Sequence, residues 1–381
     1  MTKRYMGISI LSAIFIAGVI GASGAELATV GSEKFLGAPS CSSTSCHGGA
    51  GEKNNQNLIW SKLDFHSRSY ATLTSARSER FAEVLKLGDA TKSARCTTCH
   101  APFQTVEEKH RLAAAKPVQG VSCETCHAPA ENWLRSHTRP DFTHSDRVAS
   151  GMRDLKSLYV RANTCVACHQ TLDTEISAAG HPDLLFELDG QSVSEPKHWR
   201  DADQTTGPQS WLIGQAVALR ELSWQLSREQ KRDENLVARW SALVWLLQQV
   251  GELDSGFPTL KSVSFKAETA DFESAQKASD ALARRVAETT WTDTMTRTCL
   301  TRLSQTAAAF QDPKTATKIH ARRAERLVLG LDRLIIRLED KQAKELDPAV
   351  RSLFKSVQSI PDFQPEAFAK EITQLADKLR L

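Results

Sequence analysis

Apolar residues recur at helical spacing through the second half of the chain, which predicts long amphipathic helices. The predicted helices are 212–226, 240–250, one or two within 268–310, 327–338 and 366–379. The connections between them are expected at Pro258, Pro313, Pro348, Pro361 and Pro365. We interpret the leucine stripes as the buried core of a bundle, with a seam for a partner helix as the alternative.

The first half of the chain has a different pattern. Residues 35–200 are rich in Gly, Pro, Ser and Thr, and only short helices are predicted there, at 77–87 and 107–115. The segment 201–208 is typical of a linker. The fold class is therefore predicted to be all-α, with a loop-rich domain at 35–200 followed by an α-helical bundle domain at 205–381.

Three copies of Cys-x-x-Cys-His lie in the loop-rich half, and each is the attachment signature of a c-type haem. Two thiols bond to the haem vinyl groups, and the histidine that follows reaches the iron from one face. A looser copy, with four residues between its cysteines, precedes them. In chain order the motif residues are Cys41, Cys46 and His47; Cys96, Cys99 and His100; Cys123, Cys126 and His127; and Cys165, Cys168 and His169.

One such motif taken alone would also fit a redox dithiol or half of a zinc site. Zinc gives no reason for a histidine after every second cysteine, so four covalently bound haem c groups are predicted, and they would supply the apolar core of the loop-rich half. For Cys41 and Cys46, with their wider spacing, a disulfide is the alternative. The ninth cysteine, Cys299, is predicted to be a buried small side chain in a helix.

The N-terminus has the features of a secretory signal peptide over residues 1–25. Lys3 and Arg4 precede an apolar stretch, and small residues lie before a predicted cut at Glu26. Export to a bacterial periplasm agrees with covalent haem attachment, which takes place outside the inner membrane. An uncleaved N-terminal anchor is the alternative, and the only membrane contact expected. The formal net charge is +3, and no basic tract suggests binding to nucleic acid.

Each haem iron needs a second axial ligand or keeps an open site. The histidines outside the motifs outnumber the four irons, which favours irons with two histidine ligands each. They are His66, His110, His137, His144, His181, His198 and His320. Among them, His110 is predicted to lie on a solvated helix face, and His320 to be structural or exposed.

Several segments resemble the multihaem cytochrome c554 family. They are residues 120–131, which include Gly-Val-Ser-Cys-Glu-Thr-Cys-His, with Trp133, Leu134 and His137; residues 64–66 with 69–73; and residues 179–182 with 185–188. The resemblance covers about 38–200 and does not extend to the C-terminal bundle. The wider first motif departs from the family pattern. The resemblance implies a tetrahaem cytochrome whose distal histidines are exchanged between motifs.

The resemblance assigns three distal ligands by position: His66 to the iron of the His127 haem, His137 to that of the His47 haem, and His181 to that of the His100 haem. For the His169 haem we predict His144, because it precedes that motif, with His198 as the rival.

The leading functional hypothesis is an electron carrier that works between a quinol dehydrogenase and a periplasmic oxidoreductase. The alternative is an oxidoreductase that acts on nitric oxide, nitrite, hydroxylamine or a sulfur oxide at one open haem. The His100 haem is the candidate for that site if His181 does not reach its iron. A third hypothesis is a scaffold subunit whose bundle binds a partner enzyme.

Overall fold

The structure, a computed structural model, describes residues 32–199, 207–251 and 253–379. The predicted signal peptide and residues 201–206 of the predicted linker lie outside these ranges. The described residues form α-helices, short 3₁₀ turns and loops, and their only extended pairing is an isolated bridge between Phe35 and Arg111. The predicted all-α class is confirmed.

The helices of the first half are short, and those of the second half are long. The first set is α1 (Gln56–Leu63), α2 (Ser69–Thr72), α3 (Ala76–Val84), α4 (Ala94–His100), α5 (Cys123–His127), α6 (His144–Ala149), α7 (Leu158–His169), α8 (Thr174–Ala178) and α9 (Leu188–Ser194). The second set is α10 (Gly207–Arg228), α11 (Glu234–Val250), α12 (Thr269–Glu288), α13 (Asp293–Ser304), α14 (Thr317–Ile335), α15 (Asp340–Ser356) and α16 (Pro365–Lys378).

Helix α10 forms the centre of the bundle, where it packs against α11, α12 and α14. Its side chains Trp211, Leu212 and Leu219 are fully buried. Gly330 on α14 allows the close approach of Trp211, because a β-carbon at position 330 would lie 2.6 Å from the indole ring. The leucine stripes are therefore core positions, as predicted, and burying them supplies the main driving force for the bundle.

Two local predictions were wrong. Pro348 lies inside helix α15 rather than in a connection. The buried side chains Leu346, Val350 and Leu353 on either side of it anchor the helix, which offsets the hydrogen bond that proline cannot donate. Residues 107–115 form only a 3₁₀ turn at Glu108–His110. The chain there pairs with Phe35, whose N–H donates to the His110 carbonyl at 2.9 Å, and this extended pairing replaces a helix.

The hydrophobic core continues across the predicted boundary near residue 205. Leu158, Ala162 and Val166 of α7, and Leu188 at the start of α9, belong to the same buried cluster as the bundle leucines. Helix α7 also carries the fourth cysteine motif. The bundle therefore supports the attachment segment of that motif directly.

A buried polar network also joins α7 to α10 and α12. The Arg220 guanidinium on α10 bonds to Glu221 at 2.8 Å, to Asp280 at 2.7 Å and to Asn163 at 2.5 Å. It also donates to the Tyr159 hydroxyl, which itself donates to Asp280 at 2.6 Å. Arg220 and Glu221 are only 2% and 1% exposed. The hydrogen bonds of the network therefore replace the water that would otherwise solvate the two charges.

Cys299 on α13 is fully buried, as predicted. Within the described ranges, no helix combines the length and the apolar character that a membrane crossing requires.

Candidate haem-binding site

The three regular motifs lie at the ends of α4, α5 and α7, and each of these helices ends at the motif histidine. Residues three apart in a helix lie on one face, so the two thiols of a motif point the same way. The histidine, one residue further on, follows on the same side of the helix. Local helix geometry thus produces the thiol–thiol–imidazole arrangement that haem attachment requires.

The first motif reaches a similar arrangement through a loop. Its extra residues form a turn in which the Cys46 N–H donates to the Ser43 carbonyl at 2.9 Å. The His47 N–H donates to the Cys41 carbonyl at 3.1 Å, which returns the histidine to the first cysteine. All nine cysteines are free thiols in the structure, so the alternative disulfide between Cys41 and Cys46 is not formed.

Thiols of different motifs are neighbours. Cys41 lies close to Cys123 of the third motif, and Cys99 of the second motif lies close to Cys168 of the fourth. Burial is the main cause that raises the pKa of Cys165 to about 12, and the nearby Cys126 raises it further. The attachment sites therefore follow one another in the spatial order first, third, fourth, second.

Three pairs of histidine rings share one separation, and each pair combines a motif histidine with one from elsewhere. The ring centroids are 6.1 Å apart for His47 and His137, 6.0 Å for His66 and His169, and 6.4 Å for His100 and His181, with angles of 18°, 89° and 67° between the ring planes. Two nitrogen–metal bonds of about 2 Å, plus the distance from each nitrogen to its ring centre, add up to about 6 Å. The separations fit one metal atom between each pair.

The hydrogen bonds of the rings point to the same arrangement. In six histidines, Nδ1 faces a polar partner, which leaves Nε2 for a metal and holds the ring in place. These partners are Gln56 Oε1 for His47, Asp64 Oδ1 for His66, the Thr72 hydroxyl for His100, the Leu134 carbonyl for His137, the Pro182 carbonyl for His181 and the Pro196 carbonyl for His198. The thiol pairs and these rings together fit haem c.

Two predicted ligand assignments differ from the structure. His66 faces His169, which favours the haem of the fourth motif over the His127 haem that the resemblance implied for His66. His144 was predicted to serve the His169 haem, but its Nε2 is bonded to Asp154 at 2.9 Å. The reason in both cases is tertiary. The loop before α2 brings His66 to the end of α7, whereas His144, the first residue of α6, is hydrogen-bonded to Asp154 in the loop after that helix.

The rival candidate His198 lies near the third motif. The pKa of His127 is lowered to about 4, mainly because the ring is buried and next because of the charge of His198. Burial also lowers the pKa of His100 and of His169. Neutral imidazole is the form that binds iron, so burial favours ligation at these rings.

The two remaining histidines are placed differently. His320 on α14 is buried in the bundle, and its Nε2 is bonded to the Asp312 carbonyl at 3.1 Å, which agrees with a structural role. His110 was predicted to lie on a solvated helix face, but it is half-buried in a 3₁₀ turn, and its Nδ1 is buried.

Sequence reasoning missed Glu124, which lies between the cysteines of the third motif. It is 2% exposed, and its carboxylate accepts hydrogen bonds from the N–H groups of Leu36, Gly37 and Ala130 at 2.6–3.0 Å. Burial raises its pKa, although these three donors oppose the shift. Glu124 therefore ties the loop before the first motif to the third motif. In the sequence, a charged residue between the two cysteines of a motif was the feature that could have indicated this role.

Replacing Glu124 with alanine is expected to lower the free energy of unfolding by about 3 kcal/mol, because three buried N–H groups lose a charged acceptor. Thermal unfolding followed by circular dichroism measures the change. Glu131→Ala is the matched control, since within the described part of the chain the exposed Glu131 accepts one hydrogen bond, from the Lys34 N–H, and a change below about 0.5 kcal/mol is expected. Equal losses in the two variants would contradict the role of Glu124.

Residues 40–128 match the family model described as cytochrome c554 and c-prime. The chain matches no curated protein and no solved structure. The matched segment contains the first three motifs, from Cys41 to His127, and leaves out the fourth motif and the bundle. Proteins of the cytochrome c family carry covalently bound haem c, exchange electrons with redox proteins and are generally exported. The similarity of this segment to cytochrome c554 and c-prime therefore supports a c-type cytochrome that takes part in electron transfer.

Proposed function

We propose that the protein is a periplasmic tetrahaem cytochrome that carries electrons between redox proteins, with two histidine ligands at every iron. One observation carries the proposal: three motif histidines each face a second histidine at about the separation that one metal atom requires. His198 would complete the fourth pair with His127. When bound, haem c supplies one-electron redox chemistry.

The order of the attachment sites supports a continuous chain of haems. The thiol contacts bring the first motif to the third and the second to the fourth, which favours two close haem pairs. Cys126 and Cys165 lie near each other and would connect the pairs, and both are half-buried. Cys46 of the first motif is exposed. The first and second haems would then be the two ends at which partners exchange electrons.

The C-terminal bundle supports this function by holding the fourth attachment helix, and it also offers a surface for docking or oligomerisation. The partners proposed are a quinol dehydrogenase as donor and a periplasmic oxidoreductase as acceptor. The alternative of an enzyme with an open haem depended on His181 not reaching the His100 iron. Because the two rings are 6.4 Å apart, the geometry favours the electron carrier.

Low-temperature EPR of the oxidised, matured protein tests the proposal, together with mass spectrometry of the intact protein. We expect a mass increase of four haem groups and only low-spin ferric signals, none of which changes when nitric oxide is added. The matched control is Cys299→Ala, which should keep all four haems because Cys299 lies outside the motifs. A high-spin signal that nitric oxide abolishes would overturn the carrier proposal in favour of the enzyme.

A further inference from the structure

One candidate ligand, His66, is hydrogen-bonded to a carboxylate. Asp64 Oδ1 lies 3.0 Å from His66 Nδ1, and Asp64 also accepts the backbone N–H of His66 at 2.9 Å. Asp64 is 4% exposed. Two hydrogen bonds accepted by one buried carboxylate therefore determine both the backbone position of His66 and the orientation of its ring.

The five other histidines with an Nδ1 partner are bonded to neutral groups. These are a side-chain amide, a hydroxyl and three backbone carbonyls. A carboxylate makes an imidazole a stronger electron donor than a neutral partner does. The anion attracts the N–H proton, which leaves more electron density on the ring. Among these ligands, His66 is therefore the strongest donor.

A second acidic side chain lies close to this pair. Ligand atoms of Glu195, Asp64 and His66 all lie within 4.8 Å of one another, and Glu195 is half-buried. Negative charge in a poorly solvated site favours the more positive, ferric state of a neighbouring iron. His66 faces His169, so both effects act on the haem attached at Cys165 and Cys168.

We propose that Asp64, acting through His66, lowers the reduction potential of the haem attached at Cys165 and Cys168. The inference rests on the proposed function, since it requires haem at the fourth motif with His66 as ligand. The spatial order of the motifs puts this haem inside the chain, next to the third and second haems. Asp64 is thus a positioning residue: through His66 it sets the reduction potential of one haem in the series along which electrons pass.

The test is a redox titration of the full, matured protein followed by EPR, which resolves the four haems by their ferric signals. The His66–His169 rings are at 89° and the His47–His137 rings at 18°. Perpendicular ligand planes bring two iron d orbitals close in energy and give a much more anisotropic low-spin signal than near-parallel planes. The His100–His181 rings, at 67°, are also far from parallel, so the signal to follow is the one that His66→Ala abolishes. In Asp64→Asn we expect the haem with that signal to become easier to reduce. Its reduced-to-oxidised ratio at a given potential should rise at least tenfold, which is about 59 mV for one electron.

Two further variants allow the inference to be tested even if Asp64→Asn does not fold. Asp154→Asn removes the same type of carboxylate from His144, which faces no motif histidine at ligand distance, and should leave all four potentials unchanged. Gln56→Glu supplies a carboxylate to His47 Nδ1. It should shift the potential of the His47 haem in the opposite direction, which makes that haem harder to reduce.

The outcomes separate this inference from the proposed function. Four low-spin haems whose potentials do not respond to Asp64→Asn or Gln56→Glu would overturn the inference and leave the electron carrier intact. The inference also fails if Asp64→Asn releases a non-haem metal ion from the protein, because Asp64, His66 and Glu195 would then form a separate metal site. A wild-type protein with fewer than four haems, or with a high-spin iron, would contradict the proposed function itself.

Discussion

Replacing Arg220 with alanine is expected to lower the free energy of unfolding by about 3–5 kcal/mol. Arg220 is buried between α7, α10 and α12, and its guanidinium is the partner of Glu221, Asp280, Asn163 and the Tyr159 hydroxyl. Without it, the carboxylate of Glu221, which is 1% exposed, stays in the core without a counter-charge. Chemical denaturation followed by circular dichroism measures the change.

The matched control for Arg220→Ala is Arg284→Ala. Arg284 also pairs with Asp280, at 2.8 Å, but its side chain is 60% exposed, so the loss should not exceed about 1 kcal/mol. Since α7 also carries the fourth motif, Arg220→Ala should disturb the EPR signal of the haem at that motif more than the signals of the other haems. Similar small losses in both variants would show that the network does not hold α7 to the bundle.

Replacing His66 with alanine is expected to convert one ferric haem from low to high spin, and that haem should be the one attached at Cys165 and Cys168. The reason is that the ring of His66 lies 6.0 Å from that of His169, so its removal would take away the second ligand of that iron. EPR should show the loss of the anisotropic signal expected from perpendicular ligand planes, and the appearance of one high-spin signal.

His198→Ala is the matched control for His66→Ala. It should open the haem of His127 and leave the anisotropic signal in place. The reverse result, in which His198→Ala abolishes that signal and His66→Ala leaves it, would restore the ligand pairing that the family resemblance implied. If neither variant produces a high-spin iron, neither histidine is a ligand.

The motif residues could be identified from the sequence as candidates for haem attachment, because the pattern is local. Two thiols and a histidine within one helical turn can serve a single porphyrin, and α4, α5 and α7 have this geometry. The helices of the bundle were predictable for a similar reason, since the spacing of their leucines shows which face is buried. Helix α15 was missed because Pro348 in its interior has the same local signature as a connection.

The candidate distal ligands were less predictable, because a second ligand for a haem iron can come from any part of the chain. His137 and His181 were assigned to the rings that they face. His66 and His144 were not, since their sequence positions carry no information about which helix end lies across from them. Asp64 and Gln56 show the same limit: each orients a histidine through one hydrogen bond, and only the folded chain shows which ring receives it.

The sequence by itself thus determined the four attachment motifs, the all-α class and the buried faces of the bundle, since each depends on residues within a few positions of one another. The tertiary structure alone decided which histidines face each other, the spatial order of the motifs and the packing of α7 on α10. These features join residues far apart in the chain, and they depend on how the loops between the short helices fold back. The Arg220 network, which contacts α7, and the Asp64–His66 pair, which faces His169, belong to this second group.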